Sequence, residues 1–213
     1  MAQNVSTAVM QRRVEAHDSL DDFPSPPWAS RALIEHVIGA GAVRGLTALE
    51  PACNRGYMAR PLAEYFGRVH ARDIHDYGWS GQEAVEDFLW PGGGPVGGVD
   101  WVITNPPFRL AERFIARGLA VARTGVAVIV RTSFLEGVGR YENLYSPNPP
   151  SIVAQFCERV PMVKGRIDAR ASTATSYCWL VWIKGWPLHG TRFDWIPPCR
   201  KRLERAGDYE APA

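Results

Sequence analysis

Between Leu46 and Val130 the chain repeats one pattern, a short apolar run, a turn and a helical stretch. The runs Leu46–Glu50, Val69–Asp73, Val99–Thr104 and Val126–Val130 read as buried strands, because apolar segments of that length suit a sheet covered on both faces. Between and before them, apolar residues recur on one helical stripe: Leu33, Ile34, Val37 and Ile38, then Tyr57–Phe66, then Leu110, Phe114, Ile115, Leu119 and Val121. Strand–helix–strand repeats pack back as right-handed crossovers, so the chain is constrained to the α/β class with a doubly wound, mostly parallel sheet. Val85–Leu89 reads as a short third strand or a turn. After a stretch containing Pro147, Pro149 and Pro150, Ile152–Val160 and Tyr177–Ile183 form two closing strands with no long helix between them. That predicts an antiparallel edge hairpin and seven strands in all.

With 213 residues, 46% hydrophobic and 22% charged, the chain can bury one good-sized core. No apolar run reaches the length of a membrane span, and Met1–Asp22 is polar and lacks a signal-peptide core, so a cytoplasmic protein is expected. Cys53, Cys157, Cys178 and Cys199 lie far apart, without zinc or redox spacing; they are expected to be reduced, with no metal. Net charge is +2, but residues 109–205 are rich in Arg and Lys and poor in acids, which permits a polyanionic partner. The expected organisation is an N-terminal arm over 1–22, with a possible short helix at Val9–Ala16, a single domain over 23–190 with substrate-facing loops at about 132–176, and a basic tail over 191–213.

Four junctions carry candidate chemistry. Asn105-Pro106-Pro107-Phe108 follows the fourth strand, at the carboxyl edge where α/β sheets bind ligands. The prolines have fixed φ and no N–H, so their carbonyls cannot join regular ladders; Asn105 adds an amide acceptor and Phe108 a flat apolar face. Together they suit a planar amine, although an ordinary Asx-Pro turn has the same residues. Glu50-Pro51-Ala52-Cys53-Asn54-Arg55-Gly56 is neither a dinucleotide fingerprint nor a P-loop. Its small residues allow close backbone approach, and Glu50 suits a ligand ammonium or a structural role. Asp73, ending the second strand, suits a ribose diol as well as a solvated strand end. Asp87 and Phe88 suit an adenine amine and ring, or a turn acid beside a core aromatic. Trp179 and Trp182, in an apolar strand, are expected in the core.

In order and spacing, these signals resemble the class I S-adenosylmethionine-dependent methyltransferases. The resemblance is to their amino-methylating branch, the DNA adenine-N6 or cytosine-N4 enzymes, and within it to small phage- and prophage-type adenine methyltransferases, over roughly residues 23–184. It implies a Rossmann-like fold with S-adenosyl-L-methionine as cofactor. Pro26, Pro27 and Trp28 match the segment covering the methionine end; Glu50, Pro51, Ala52 and Gly56 match the first cofactor motif. The Cys53-Asn54-Arg55 turn departs from the commoner glycine-containing form. Asp73 would hold the ribose, Asp87 and Phe88 the adenine. Asn105 and the Pro106 carbonyl would accept from the target amine of a base flipped from double-stranded DNA, with Pro107 and Phe108 completing the pocket. Arg131, Arg140, Lys164, Arg166 and Arg170 could meet phosphates, or form a solvated basic face. Residues 159–170 are the candidate mobile loop over the substrate. With little chain left for a recognition domain, short or relaxed sequence specificity is expected. Cytosine N4, an RNA base amine or a protein glutamine amide are the alternative targets, and a non-catalytic nucleic-acid-binding module the alternative role.

Overall fold

The computed structural model describes residues 21–95, 98–187 and 190–210. The helix considered at Val9–Ala16 lies outside the described residues. The strands are β1 Thr47–Glu50, β2 Arg68–Asp73, β3 Ala84–Val85, β4 Val99–Thr104, β5 Ala122–Arg131, β6 Ile152–Phe156, β7 Tyr177–Ile183 and β8 Arg192–Ile196. They form one 8-stranded sheet in the order β3-β2-β1-β4-β5-β7-β6-β8. Neighbours from β3 to β5 are parallel. β7 inserts antiparallel between β5 and β6, and β8 lies parallel to β6.

Strand alternation builds two cores. Along β5, Val126, Val128 and Val130 face one side, where α4 (Ala111–Val121) covers them with Phe114 and Ile115. Ala127 and Ile129 face the other, under α1 (Pro27–Leu33). β7 repeats the alternation: Cys178, Leu180 and Trp182 lie in the first core, Trp179 and Val181 in the second. Trp179 is fully buried, and its Nε1–H donates to the Ala29 carbonyl at 3.2 Å, so the core expectation for Trp179 and Trp182 holds. Gly125 is required by packing: a Cβ there would sit 2.6 Å from the Trp101 ring.

Two expectations are corrected. The sheet has an eighth strand, β8, inside the segment expected as a basic tail. Its alternating charged and aromatic residues lack the apolar run that marks the inner strands, because its faces are largely open to solvent. The third strand is only two residues long. No side chain caps α1: Pro26 takes the N-cap position with Pro27 first in the helix, and Ser25 Oγ instead lies 4.0 Å from Met162 Sδ.

Beyond β8 the chain stays tied to the domain. Arg31, in α1 and 3% exposed, donates to Asp208 at 2.7 and 2.9 Å, to Glu64, and to the Leu203 carbonyl at 2.8 Å. Leu203 ends α6 (Arg200–Leu203), which packs on α1. Among the described residues no helix is long and apolar enough to cross a membrane.

Candidate functional site

β1 pairs with both β2 and β4, so chain order reverses between β1 and β4, and a crevice opens beyond their carboxyl ends. A cleft of about 320 Å³ fills it. Glu50 from the end of β1, Asp73 from the end of β2 and Asn105 just after β4 all border this cleft, as do Pro51, Ala52, Asp87, Phe88 and Pro107.

Glu50 is 1% exposed, and neither carboxylate oxygen has a hydrogen bond of normal geometry. Burial drives its carboxyl well above the usual carboxylate range; Asp73 adds to the rise, and the neighbouring Thr104 hydroxyl and Ala52 N–H offset part of it. An unpartnered acid at the wall of a cleft is poised for a cation.

The turn after β1 is shaped by Asn54, which adopts a left-handed φ of 50°. Its N–H donates to Asp73 Oδ2 at 2.9 Å, and its side-chain amide donates to Asp22 Oδ1 at 2.6 Å. Asp73 also accepts the His75 N–H at 3.0 Å. Burial raises the Asp73 carboxyl, against these two N–H donors. Each oxygen keeps a second lone pair for a hydroxyl.

Asp87 closes a turn onto the Leu89 N–H at 2.8 Å, and Phe88 packs against Phe114 with ring centroids 5.2 Å apart. Glu86, held by Arg72, borders the same end. Asp21, Asp73 and Asp87 give the cleft an acidic lining, which favours a ligand carrying positive charge over a phosphate-bearing one.

At the other end, the Asn105 side-chain N–H donates to the Phe23 carbonyl at 2.8 Å. That leaves Oδ1 buried and without a partner. The Pro107 carbonyl accepts the Leu110 N–H at 2.9 Å as α4 begins, while no described donor reaches the Pro106 carbonyl. Neither Pro106 nor Phe108 lines the cleft; the Phe108 ring lies 5.5 Å from that of Phe23, which does, with the Arg131 guanidinium over it.

Several expected residues lie elsewhere. Trp28 is fully buried, edge-on to Phe156, and neither it nor Pro26 borders the cleft; Phe23, Pro24 and Ser25 do so instead. Gly56 has φ 77°, and a Cβ there would sit 2.5 Å from the Trp79 ring, so its smallness accommodates Trp79 and not a ligand.

Among the basic candidates, Arg140 is engaged within the protein, with Glu112 at 3.0 Å, the Phe134 carbonyl at 2.8 Å and the Phe134 ring beneath it. Lys164, Arg166 and Arg170 are exposed on one segment. That segment joins the cleft mouth where the Gly165 N–H donates to the Asp22 carbonyl at 2.8 Å and Met162 Sδ lies 3.8 Å from Asn105 Nδ2.

Sequence reasoning missed Asn54, Ile74 and Tyr57, which also border the cleft. Ile74 carried a signal: a large apolar residue directly after a strand-terminal acid, and it stays 56% exposed. Among the described residues no group of three or more His, Cys, Asp or Glu is arranged to hold a metal.

Comparisons with family models and with curated proteins give no match. Solved structures do match. A Listeria monocytogenes protein assigned to the class I S-adenosylmethionine-dependent methyltransferases aligns with TM-score 0.58 and 13% identity, over 84% of this chain and 67% of that one. A Pyrococcus horikoshii protein assigned as an RNA methyltransferase aligns with TM-score 0.55 and 14% identity, over 75% of this chain and 85% of that one. Magnesium protoporphyrin IX methyltransferase from Synechocystis PCC 6803, with bound S-adenosylmethionine, aligns with TM-score 0.51 and 14% identity, over 73% and 79%. The fold is therefore the Rossmann-like class I methyltransferase fold, here with eight strands.

Proposed function

We propose that this chain is an S-adenosylmethionine-dependent methyltransferase acting on the exocyclic N6 amine of adenine in DNA, with short or relaxed sequence specificity. The observation that carries the reading is the buried, unpartnered Oδ1 of Asn105 at the end of an acidic cleft. An acceptor in that position lacks a donor until an amine arrives.

The cleft fits the cofactor. Glu50 offers two unpartnered acceptors to an ammonium, Asp73 the remaining lone pairs to a ribose diol, and Phe88 and Ile74 apolar contact beside the Asp87 acceptor for an adenine. When bound, S-adenosylmethionine supplies an electrophilic methyl group on sulfonium sulfur.

The protein's part is to hold and orient the nucleophile. A base amine is a weak nucleophile because its lone pair is conjugated with the ring. Asn105 Oδ1 and the Pro106 carbonyl accept its two hydrogens and favour a pyramidal nitrogen, whose lone pair then points into the cleft. Phe108 stacks on the base, which must leave the duplex to reach it. Orientation supplies much of the rate, and the proton released after transfer passes to solvent.

Incubation of the purified protein with labelled cofactor and unmodified duplex DNA, followed by nucleoside analysis, is expected to yield N6-methyladenine. Label in N4-methylcytosine, in RNA or in protein would move the target and keep the chemistry; no transfer to any of them would overturn the reading.

A further inference from the structure

β8 is the outermost strand of the sheet and carries two exposed aromatic residues. Phe193 is 52% and Trp195 66% exposed, with ring centroids 4.9 Å apart in an edge-on arrangement. They are two positions apart and so share one face of the strand.

The main chain along this edge has a definite polarity. The Arg192 N–H donates to Ser151 at 2.9 Å and the Ile196 carbonyl accepts from Cys157 at 3.0 Å. Arg192, Asp194 and Ile196 therefore turn their main-chain groups toward β6, and by alternation Phe193 and Trp195 turn theirs outward. Among the described residues no strand meets that outward edge. A short hydrophobic edge of this kind is a template for another strand.

The residues also say which strand. Arg192 and Asp194 pair at 2.7 Å within the chain, on the face opposite the aromatic residues. Antiparallel pairing of two β8 strands about a two-fold axis must centre on one residue, because opposed residues share orientation. Centring on Asp194 sets that carboxylate against itself. Centring on Trp195 sets Phe193 against Pro197, which has no N–H to give. Centring on Phe193 sets each Arg192 opposite the other copy's Asp194 and brings four aromatic side chains together on one face.

We propose that the protein forms a two-fold dimer through antiparallel β8 pairing centred on Phe193, extending the sheet across both copies. The interface is independent of the cleft. With the axis perpendicular to the sheet, the two clefts open in opposite directions, roughly nine strand spacings apart at ~4.8 Å each. A five-residue edge with its aromatic cluster is smaller than a standard stable interface, so the association is weak and concentration-dependent.

The test is sedimentation velocity of the full chain from low to high micromolar concentration. A monomer–dimer equilibrium is expected, weakened about tenfold or more by Asp194→Arg, and restored when Arg192→Asp is added. Asp194→Asn should also weaken it; strengthening would mean that the carboxylates face each other and would overturn the register. In a Cys157→Ser background, Phe193→Cys should crosslink under oxidation, because paired Cα atoms sit at about 5.5 Å, and Trp195→Cys should not. Cys157, Arg192, Phe193 and Trp195 are exposed and Asp194 is half-buried, and retention of the fold is checked by circular dichroism. A monomer at every concentration, a dimer indifferent to Asp194→Arg, or crosslinking through position 195 in place of 193 overturns the proposal.

Discussion

The Arg131 guanidinium lies over the Phe108 ring, its central carbon 4.3 Å from the ring centroid. Arg131 closes β5 and Phe108 follows β4, and these strands are parallel neighbours, so the sheet itself sets the contact. The Nε atom of Arg131 is buried without a partner. A planar cation therefore covers part of the Phe108 ring face. On the proposed reading the base displaces the guanidinium, which then meets the backbone of the displaced nucleotide. Phe108→Ala should lower kcat/KM for DNA by about 5- to 150-fold, the value of one base–aromatic stack, while Phe108→Tyr stays close to wild type. Arg131→Gln should reduce the slope of log affinity against log salt by about one unit, measured by fluorescence anisotropy.

Asn105 uses its N–H on Phe23, and its Oδ1 is buried without a partner. Asn105→Ala should cut methyl transfer by about 10²–10³-fold, as removal of one preorganised polar group at a reacting centre does elsewhere. Cofactor affinity by calorimetry should change little, since on the proposed reading Glu50 and Asp73 hold that end. Equal losses in transfer and in cofactor affinity would assign Asn105 to cofactor binding instead.

Glu50 gives a pH signature. Its folded carboxyl lies well above the ordinary value, mainly through burial. The folded state therefore binds the proton more tightly than the unfolded chain, and stability falls as pH rises from the ordinary carboxylate range toward the raised value. Each unit of the rise removes about 1.4 kcal/mol once the pH exceeds both values. Glu50→Gln should raise Tm at neutral pH and flatten this dependence, with a residual slope from Asp73, which is shifted in the same direction. A cationic ligand needs the ionised form, so cofactor affinity should increase with pH over the same window in wild type and much less in Glu50→Gln.

Arg31 anchors the C-terminal segment through Glu64, Asp208 and the Leu203 carbonyl. Its side chain is 4% exposed and that of Asp208 7%, so removing one partner strands a buried charge. Arg31→Met should destabilise the protein by about 3–5 kcal/mol in urea denaturation and open the chain after Leu203 to limited proteolysis. An unchanged midpoint would mean that the segment contributes little to the fold.

The inner sheet was legible because Val126–Val130 and Val99–Thr104 are apolar throughout, a pattern that only a strand covered on both faces accommodates. The acids at strand ends and the Asn105 tetrapeptide were legible for a related reason: polar and proline residues directly after such runs mark where the sheet meets solvent. β8 was hidden, since Arg192-Phe193-Asp194-Trp195 has the composition of a solvated tail, and faces largely open to solvent leave no apolar signature. Trp28 and Gly56 misled because a tryptophan near a cleft and a small residue in a turn serve packing as readily as binding. Trp28 fills the core against Phe156, and Gly56 makes room for Trp79.

By itself, the sequence determined the α/β class and the positions of Glu50, Asp73, Asp87 and Asn105 at or near strand ends, because each follows from local periodicity and side-chain chemistry. Only the tertiary structure decided that Phe23 takes the Asn105 N–H, that Arg131 covers Phe108, that Arg140 is spent on Glu112, and that the chain beyond residue 190 completes the sheet. Those contacts join residues far apart along the chain, and their free energy comes from burial and pairing that no local pattern encodes.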